Sequence, residues 1–347
     1  MEKDFAMKSR KNLVLAFAFV AVIAVLSGSF SAFSRVSVPA RTFEFTYVTK
    51  IPILPADAKL SSIWIPLPQS DVHQAISGMK IESPFPFATR RDSEYGNSYV
   101  YLEIPAAKAA AATEVRVTFQ VARQEHLVAL AGNPGVTNSE RGNGARTTAP
   151  AGELKRFLEP DRRVPLAGTI AELSAEQTNG IQDPLAKARA IYDYVIATMR
   201  YDKSGTGWGN GDAIWACTAK RGNCTDFHSL FIGMMRAAGI PSRFEIGFPL
   251  PADQHAGVIP GYHCWAEFYV APYGWIPVDA SEAWKHPEKK NYFFGAHDDN
   301  RVQFTVGRDI RLDPAQQGDP LNYFIYPYAE VDGKPLVVES KFSFQDR

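Results

Sequence analysis

A single cysteine, placed where a helix should begin, is the first residue in this chain that suggests chemistry. Cys224 lies in RGNCTDFHSLF, directly after Gly222 and Asn223, and Phe227, Leu230, Phe231 and Met234 follow it at helical spacing. The pattern predicts a helix from Cys224 to about Ala238, closed by Gly239 and Pro241. At such a position, unpaired N–H groups and the positive end of the helix dipole favour a thiolate. Asn223 is placed to cap the helix, and Asp226 completes the pattern of a capping box. The N–H of Cys224 is then available as one oxyanion donor for acyl transfer. The sequence identifies no second donor.

A thiolate nucleophile needs a histidine to exchange protons and an acceptor to orient that histidine. His263, at the start of the strand-like YHCWAEFYV, is the preferred base. His228 is the other candidate, but one turn into the helix its side chain leans toward the packed body. Asp279 follows His263 by sixteen residues and is the expected orienter. Its hairpin has turn formers at Pro272 and Gly274, just past the midpoint, so the pair requires a bulge or a diagonal contact. Glu267 has the same strand parity as His263 and is the alternative orienter.

Two more cysteines, Cys217 and Cys264, complete a set of three, too few for a disulfide scaffold. In a strand, Cys264 points opposite to His263, so it is expected to be buried and outside the active site. Whether it pairs with Cys217 or both stay free thiols is open. Cys217, Cys224, His228 and His263 lack the paired spacing of a zinc site, and no metal ligand is assigned. Trp265 shares the face of His263 and, with Trp208, is the expected wall of a substrate tunnel, although packing is the commoner role of tryptophan. Arg301, Arg308 and Asp309 are expected in ion pairs.

These residues need a frame. At 347 residues the chain exceeds the roughly 250 to 300 at which one core stops growing, which predicts two folded units. With 46% apolar and 21% charged residues, both can bury a core. Basic and acidic residues number 37 each, so no net charge draws nucleic acid. Lys8, Arg10 and Lys11 precede the apolar run Leu13 to Leu26, the form of a signal peptide or signal anchor over residues 1–34. Either places the remainder outside the cytoplasm, in the periplasm or facing it, with membrane contact only through that segment if it is uncleaved.

Period-two alternation in RTFEFTYVTKI and EVRVTFQVARQ, with frequent prolines between strands, reads residues 35–130 as an all-β, sandwich-like domain. The alanine run from Ala106 to Ala112 is open between helix and loop. Residues 131–170 read as a linker or loop region, 131–150 being rich in Gly, Asn, Ser and Thr. Residues 171–310 then run from helices to a strand meander, an α+β order. Asp183 and Pro184 start a helix that should end near Tyr201. Residues 311–347, with YFIYPY and the Asp332-Gly333 turn, read as a C-terminal hairpin whose role is packing.

Cys224 in RGNCTDFHSLFIGMMRAAGIPSRFEIGF, His263 in GYHCWAEFYV and Asp279 in GWIPVDAS resemble, in order and context, the three motifs of the transglutaminase-like superfamily core. The preceding helix and Tyr201 are similar to that core as well. The resemblance implies a papain-like core of helices on an antiparallel sheet, and a Cys-His-Asp triad. That triad would act through a thioester on a glutamine or other amide of a protein or peptide, with transfer to an amine or to water and no cofactor. The upstream β-rich region resembles the extra domain of many exported bacterial members. The competing reading is a non-catalytic binding module that uses the β-sandwich, with the core as scaffold; a third is a metal-dependent hydrolase. The presence of all three polar residues favours the enzyme, a cysteine-dependent acyltransferase or peptidase/amidase.

Overall fold

Alternating apolar residues set the first half of the chain. In strand β1 (Ala40–Ile51), Phe43, Phe45 and Tyr47 are buried, whereas Thr42, Glu44 and Thr46 between them are not. The computed structural model describes residues 40–55, 57–105, 111–130 and 151–347. The expected leader, most of the alanine run and the first half of the expected linker lie outside the described residues.

After β1 come β2 (Leu60–Leu67), β3 (Gln74–Glu82), β4 (Phe87–Arg91), β5 (Ser98–Pro105), β6 (Thr113–Gln124) and β7 (His126–Leu127). Helices α1 (Ala151–Lys155), α2 (Thr169–Gln177) and α3 (Pro184–Thr198) follow, so the second half of the expected linker carries structure. Then come β8 (Arg200–Tyr201), α4 (Ala213–Ala219), β9 (Arg221–Gly222) and α5 (Cys224–Ala237). Next are β10 (Ser242–Pro249), β11 (Ala256–Ile259), β12 (His263–Val270) and β13 (Gly274–Val278), of which β10, β12 and β13 form the meander. Helix α6 (Ala280–Lys285), β14 (Ala296–His297) and β15 (Arg301–Val306) precede the last strands, β16 (Tyr328–Val331), β17 (Lys334–Pro335) and β18 (Glu339–Asp346).

The order is α+β, with a β-rich N-terminal region. Two five-stranded sheets are ordered β11-β18-β1-β6-β3 and β17-β16-β2-β5-β4, and a four-stranded sheet is ordered β13-β12-β10-β15. Strands from both sides of residues 131–150 therefore share hydrogen-bonded sheets. The last strands follow the same rule: β16 and β17 pair across Asp332 and Gly333, β16 also joins β2, and β18 pairs along β1.

Aromatic packing explains this sharing. Phe45 stacks on Phe119 of β6 at 5.3 Å between ring centroids and meets Phe248 of β10 at 5.4 Å and Phe304 of β15 at 5.7 Å. One continuous apolar cluster thus runs from the first sheet into the meander, and the described residues form one compact unit. Burying a phenylalanine ring contributes about 1.5–3 kcal/mol, so this junction carries a substantial part of the stability.

Helix α5 lies across β10 and β12, surrounded by α2, α3, α4 and α6. Nearly all of it is buried, including Phe227, Leu230, Phe231 and Met234. Helix α3 starts as its sequence dictates, with the Asp183 carboxylate accepting from the Ala186 N–H and Pro184 in the first turn. It stops at Thr198 because Arg200 and Tyr201 turn to pair with Arg221 and Gly222. No helix among the described residues is long and apolar enough to cross a membrane.

Strand β10 aligns the meander. Gly247 sits opposite His263 on one side and Gln303 on the other, at an irregularity in the β10–β15 ladder. A Cβ here would lie 1.9 Å from the Val302 carbonyl oxygen. Gly247→Ala is expected to reduce stability by about 1–3 kcal/mol or more through this overlap, measured as a lowered midpoint in urea unfolding with an unchanged slope.

Candidate active site

The site is built on the N-terminus of α5. Asn223 caps it, its Oδ1 accepting from the Thr225 N–H at 2.9 Å, and Asp226 closes a capping box. The box does more than end the helix. The Asp226 carboxylate accepts from the N–H groups of Asn223, Gly209 and Gly211 at 2.9, 2.7 and 3.0 Å, so it also holds the preceding loop against the helix. Gly222 has φ of +150°, and a Cβ there would lie 2.2 Å from Asp226 Oδ2, so glycine is required for this approach. Cys224 follows, only 2% exposed.

His263 opens β12 and donates or shares a proton with Asp279, Nε2 to Oδ2 at 2.7 Å. The β12–β13 register, Ala266↔Val278 through Val270↔Gly274, continues to place Asp279 two positions from His263. The contact is the diagonal one. Asp279 is fully buried and caps α6, with Oδ1 accepting from the Glu282 N–H at 3.0 Å and from the Ser281 hydroxyl at 3.1 Å. Arg301 Nη1 donates to Oδ2 at 3.3 Å. The His263 side chain is also hydrogen-bonded to Cys224.

The electrostatics favour an ion pair. Burial pushes the Cys224 thiol up, but hydrogen bonds from Cys264 and His263 and the His263 charge outweigh it and hold the thiol well below its ordinary value. Burial likewise pushes the His263 imidazole down, yet the Asp279 charge, the Asp279 hydrogen bond and Cys224 raise it to about 10. Asp279, despite burial, is held well below the usual carboxylate range, chiefly by the His263 charge and hydrogen bond, with Arg301 assisting.

His228 has a different part. Burial lowers its pKa, and it is neutral: Nδ1–H donates to the Cys224 carbonyl at 2.8 Å, and Nε2 accepts from the Ala280 N–H at 3.1 Å. It clips the first turn of α5 to the start of α6. Glu267 does not reach His263; it meets Arg243 at 2.5 Å and His126 at 3.2 Å. Cys264 is buried as expected but does not lie outside the site. Its face of β12 points at the first turn of α5, where its Sγ is 3.7 Å from Thr225 Oγ1 and it is hydrogen-bonded to Cys224. Burial pushes this thiol up, so it serves as a donor to Cys224. All three cysteines are free.

Trp265 packs behind His263, ring centroids 5.9 Å apart, fully buried and with its indole N–H given to Glu245 at 2.7 Å. That indole is not free for an oxyanion. Trp208 is half-buried on the loop held by Asp226, its N–H bonded to the Gly205 carbonyl at 3.1 Å. Arg301 pairs with Asp279 and Asp298, whereas Arg308 binds the carbonyls of Asn210 and Gly211 and the Ser229 hydroxyl. Asp309 accepts from the Arg162 N–H at 2.6 Å.

Sequence reasoning missed a tyrosine wall. The Tyr262 hydroxyl is 2.9 Å from Thr225 Oγ1 and 3.0 Å from Asn223 Nδ2. Its ring meets Tyr323 at 5.6 Å and Tyr326 at 5.9 Å. The signals were present: Tyr262 adjoins His263, and YFIYPY supplies the other two rings.

Residues 171–280 match the transglutaminase-like superfamily. The chain is 28% identical over 353 residues to an uncharacterized protein of Haemophilus influenzae, covering 90% of this chain and 94% of that one. A solved structure from Cytophaga hutchinsonii, described as a candidate cysteine protease, superposes with a TM-score of 0.61 at 15% identity, covering 89% of this chain and 98% of that one. That likeness shows a shared fold. The periplasmic domain of TgpA from Pseudomonas aeruginosa, bound to ethylmercury, aligns with a TM-score of 0.36 at 16% identity, over 72% of this chain and 93% of that one.

Iodoacetamide is expected to label Cys224 before Cys217 and Cys264, at a rate that stays nearly level as pH falls below the ordinary thiol range. In His263→Ala the rate should instead fall about tenfold per pH unit, as for an ordinary thiol. Such a fall in the wild type would contradict the ion pair. The stability that His263 contributes should be complete below pH 6.5, its ordinary value, and lost as pH rises through about 10. Thermal unfolding followed across that range reads it directly.

Proposed function

We propose that this chain, whose residues 171–280 carry a transglutaminase-like core, is a cysteine enzyme that acts on protein or peptide amides outside the cytoplasm. The observation that carries the reading is the unbroken line from Cys224 through His263 to Asp279, with a buried carboxylate at its end. The Cys224 thiolate attacks the amide carbon and the carbonyl oxygen becomes an oxyanion beside the α5 N-terminus, where the Cys224 N–H is a donor. His263 passes its proton to the departing amine, and the C–N bond breaks to leave a thioester. Water or a second amine then attacks the thioester while His263 takes back a proton, and the thiolate leaves. Asp279 keeps the imidazole in one tautomer and balances its charge.

The hydrogen bond from Cys264 stabilises the resting thiolate, and Tyr262 beside Asn223 and Thr225, with Tyr323 and Tyr326 packed on it, offers an apolar wall with hydroxyl edges to the acyl donor. Location outside the cytoplasm rests on the basic and apolar N-terminal segment.

Two assays on the purified protein test this: ammonia or peptide release from a glutamine-rich protein, and incorporation of a fluorescent primary amine into it. Cys224→Ala should abolish both. His263→Ala and Asp279→Ala should each lower kcat by about 10²–10⁴. Turnover that persists in Cys224→Ala would overturn the proposal.

A further inference from the structure

We infer that His126, Glu267 and His297 form a buried site for one divalent ion of the zinc class, behind the strand that carries His263. Strands β7 and β14 pair so that His126 and His297 stand directly opposite each other, and Glu267 reaches them from β12. One ligand atom from each residue lies within 4.8 Å of the other two, and all three side chains are buried. Two imidazoles and one carboxylate oxygen are a donor set suited to zinc or a similar ion.

The second observation is independent of that convergence. His297 is fully buried, and neither of its ring nitrogens has a hydrogen-bond partner among the described residues. A neutral imidazole always carries one donor and one acceptor, so both are left unmet by the protein inside the core. Glu267 is divided in a way that suits a ligand: Oε2 takes Arg243, and Oε1 is left to His126 at 3.2 Å. The nearby guanidiniums are Arg243, Arg301 and Arg123. Arg243 pairs with Glu245 and Glu267, Arg301 with Asp279 and Asp298, and Arg123 is a buried cation facing this network. These cations hold the affinity below that of a thiolate site. Half-exposed His73 stacks on His126 at 3.7 Å and marks the side from which an ion enters.

The ion would join β7, from the N-terminal region, to β12 and β14. The Trp265 ring lies between this cluster and the site, 5.6 Å from His297 and 5.9 Å from His263. Its part is therefore to steady the wall behind His263, and the inference stands apart from the acyl chemistry.

The test uses the purified protein after dialysis against a chelator, titrated with Zn²⁺ by calorimetry and with Co²⁺ by visible absorption. One ion per chain is expected in the wild type and in Cys224→Ala, falling to none in His297→Ala and Glu267→Gln. The Co²⁺ spectrum should lack a thiolate charge-transfer band. The wild-type measurements stand even if a variant fails to fold. No saturable binding by the wild type, a thiolate band, or binding lost in Cys224→Ala and kept in His297→Ala would overturn the inference.

Discussion

A carboxylate buried away from water must have its lone pairs filled by donors, and Asp279 meets that demand from several elements at once. His263 comes from the strand before the hairpin, Ser281 and the Glu282 N–H from the helix that Asp279 itself caps, and Arg301 from the far edge of the sheet. Removing one partner of such a buried ionic group typically costs about 3–5 kcal/mol, because the other charge is left uncompensated. The position of Asp279 therefore constrains the relation of β12, α6 and β15. What orients the imidazole also holds the fold around it.

A second buried carboxylate repeats the logic at the other end of the site. Asp226 gathers N–H groups from Gly209, Gly211 and Asn223, so the loop before α5 and the helix cap are one unit. His228 joins the two centres, taking the Ala280 N–H on one side of its ring and giving a proton to the Cys224 carbonyl on the other. Cys224 thus sits between two rigid, fully bonded supports. The thiolate is favoured by donors held in fixed positions.

Much of this was legible because it is local. The Asn223–Asp226 box, the Asp183–Pro184 start of α3, the long α5 and the period-two strands follow from spacing within a few residues. The His263–Asp279 contact was legible to within one diagonal, since a hairpin preserves parity across its turn. Cys264 was read correctly as buried but wrongly as remote. Parity says which face a strand residue takes; it does not say that a helix N-terminus lies across that face. Trp265 shares the parity of His263, but Glu245 and Arg301 close over it from other strands.

The sequence alone placed Cys224 at the start of its helix, set His263 and Asp279 on one hairpin and carried the resemblance that ties them, because each depends on spacing within one motif or across one hairpin. Tertiary structure alone decided which groups from distant segments complete the site: Arg301 on Asp279, Cys264 on Cys224, the tyrosines beside Thr225, and the meeting of His126 with Glu267 and His297. It also decided that strands from the two ends of the chain share sheets, since Phe45 finds its packing partners in β6, β10 and β15. The reason is the same in each case. Burial forces polar groups to find partners and rings to find faces, and those partners are selected by proximity in space, which no spacing along the chain records.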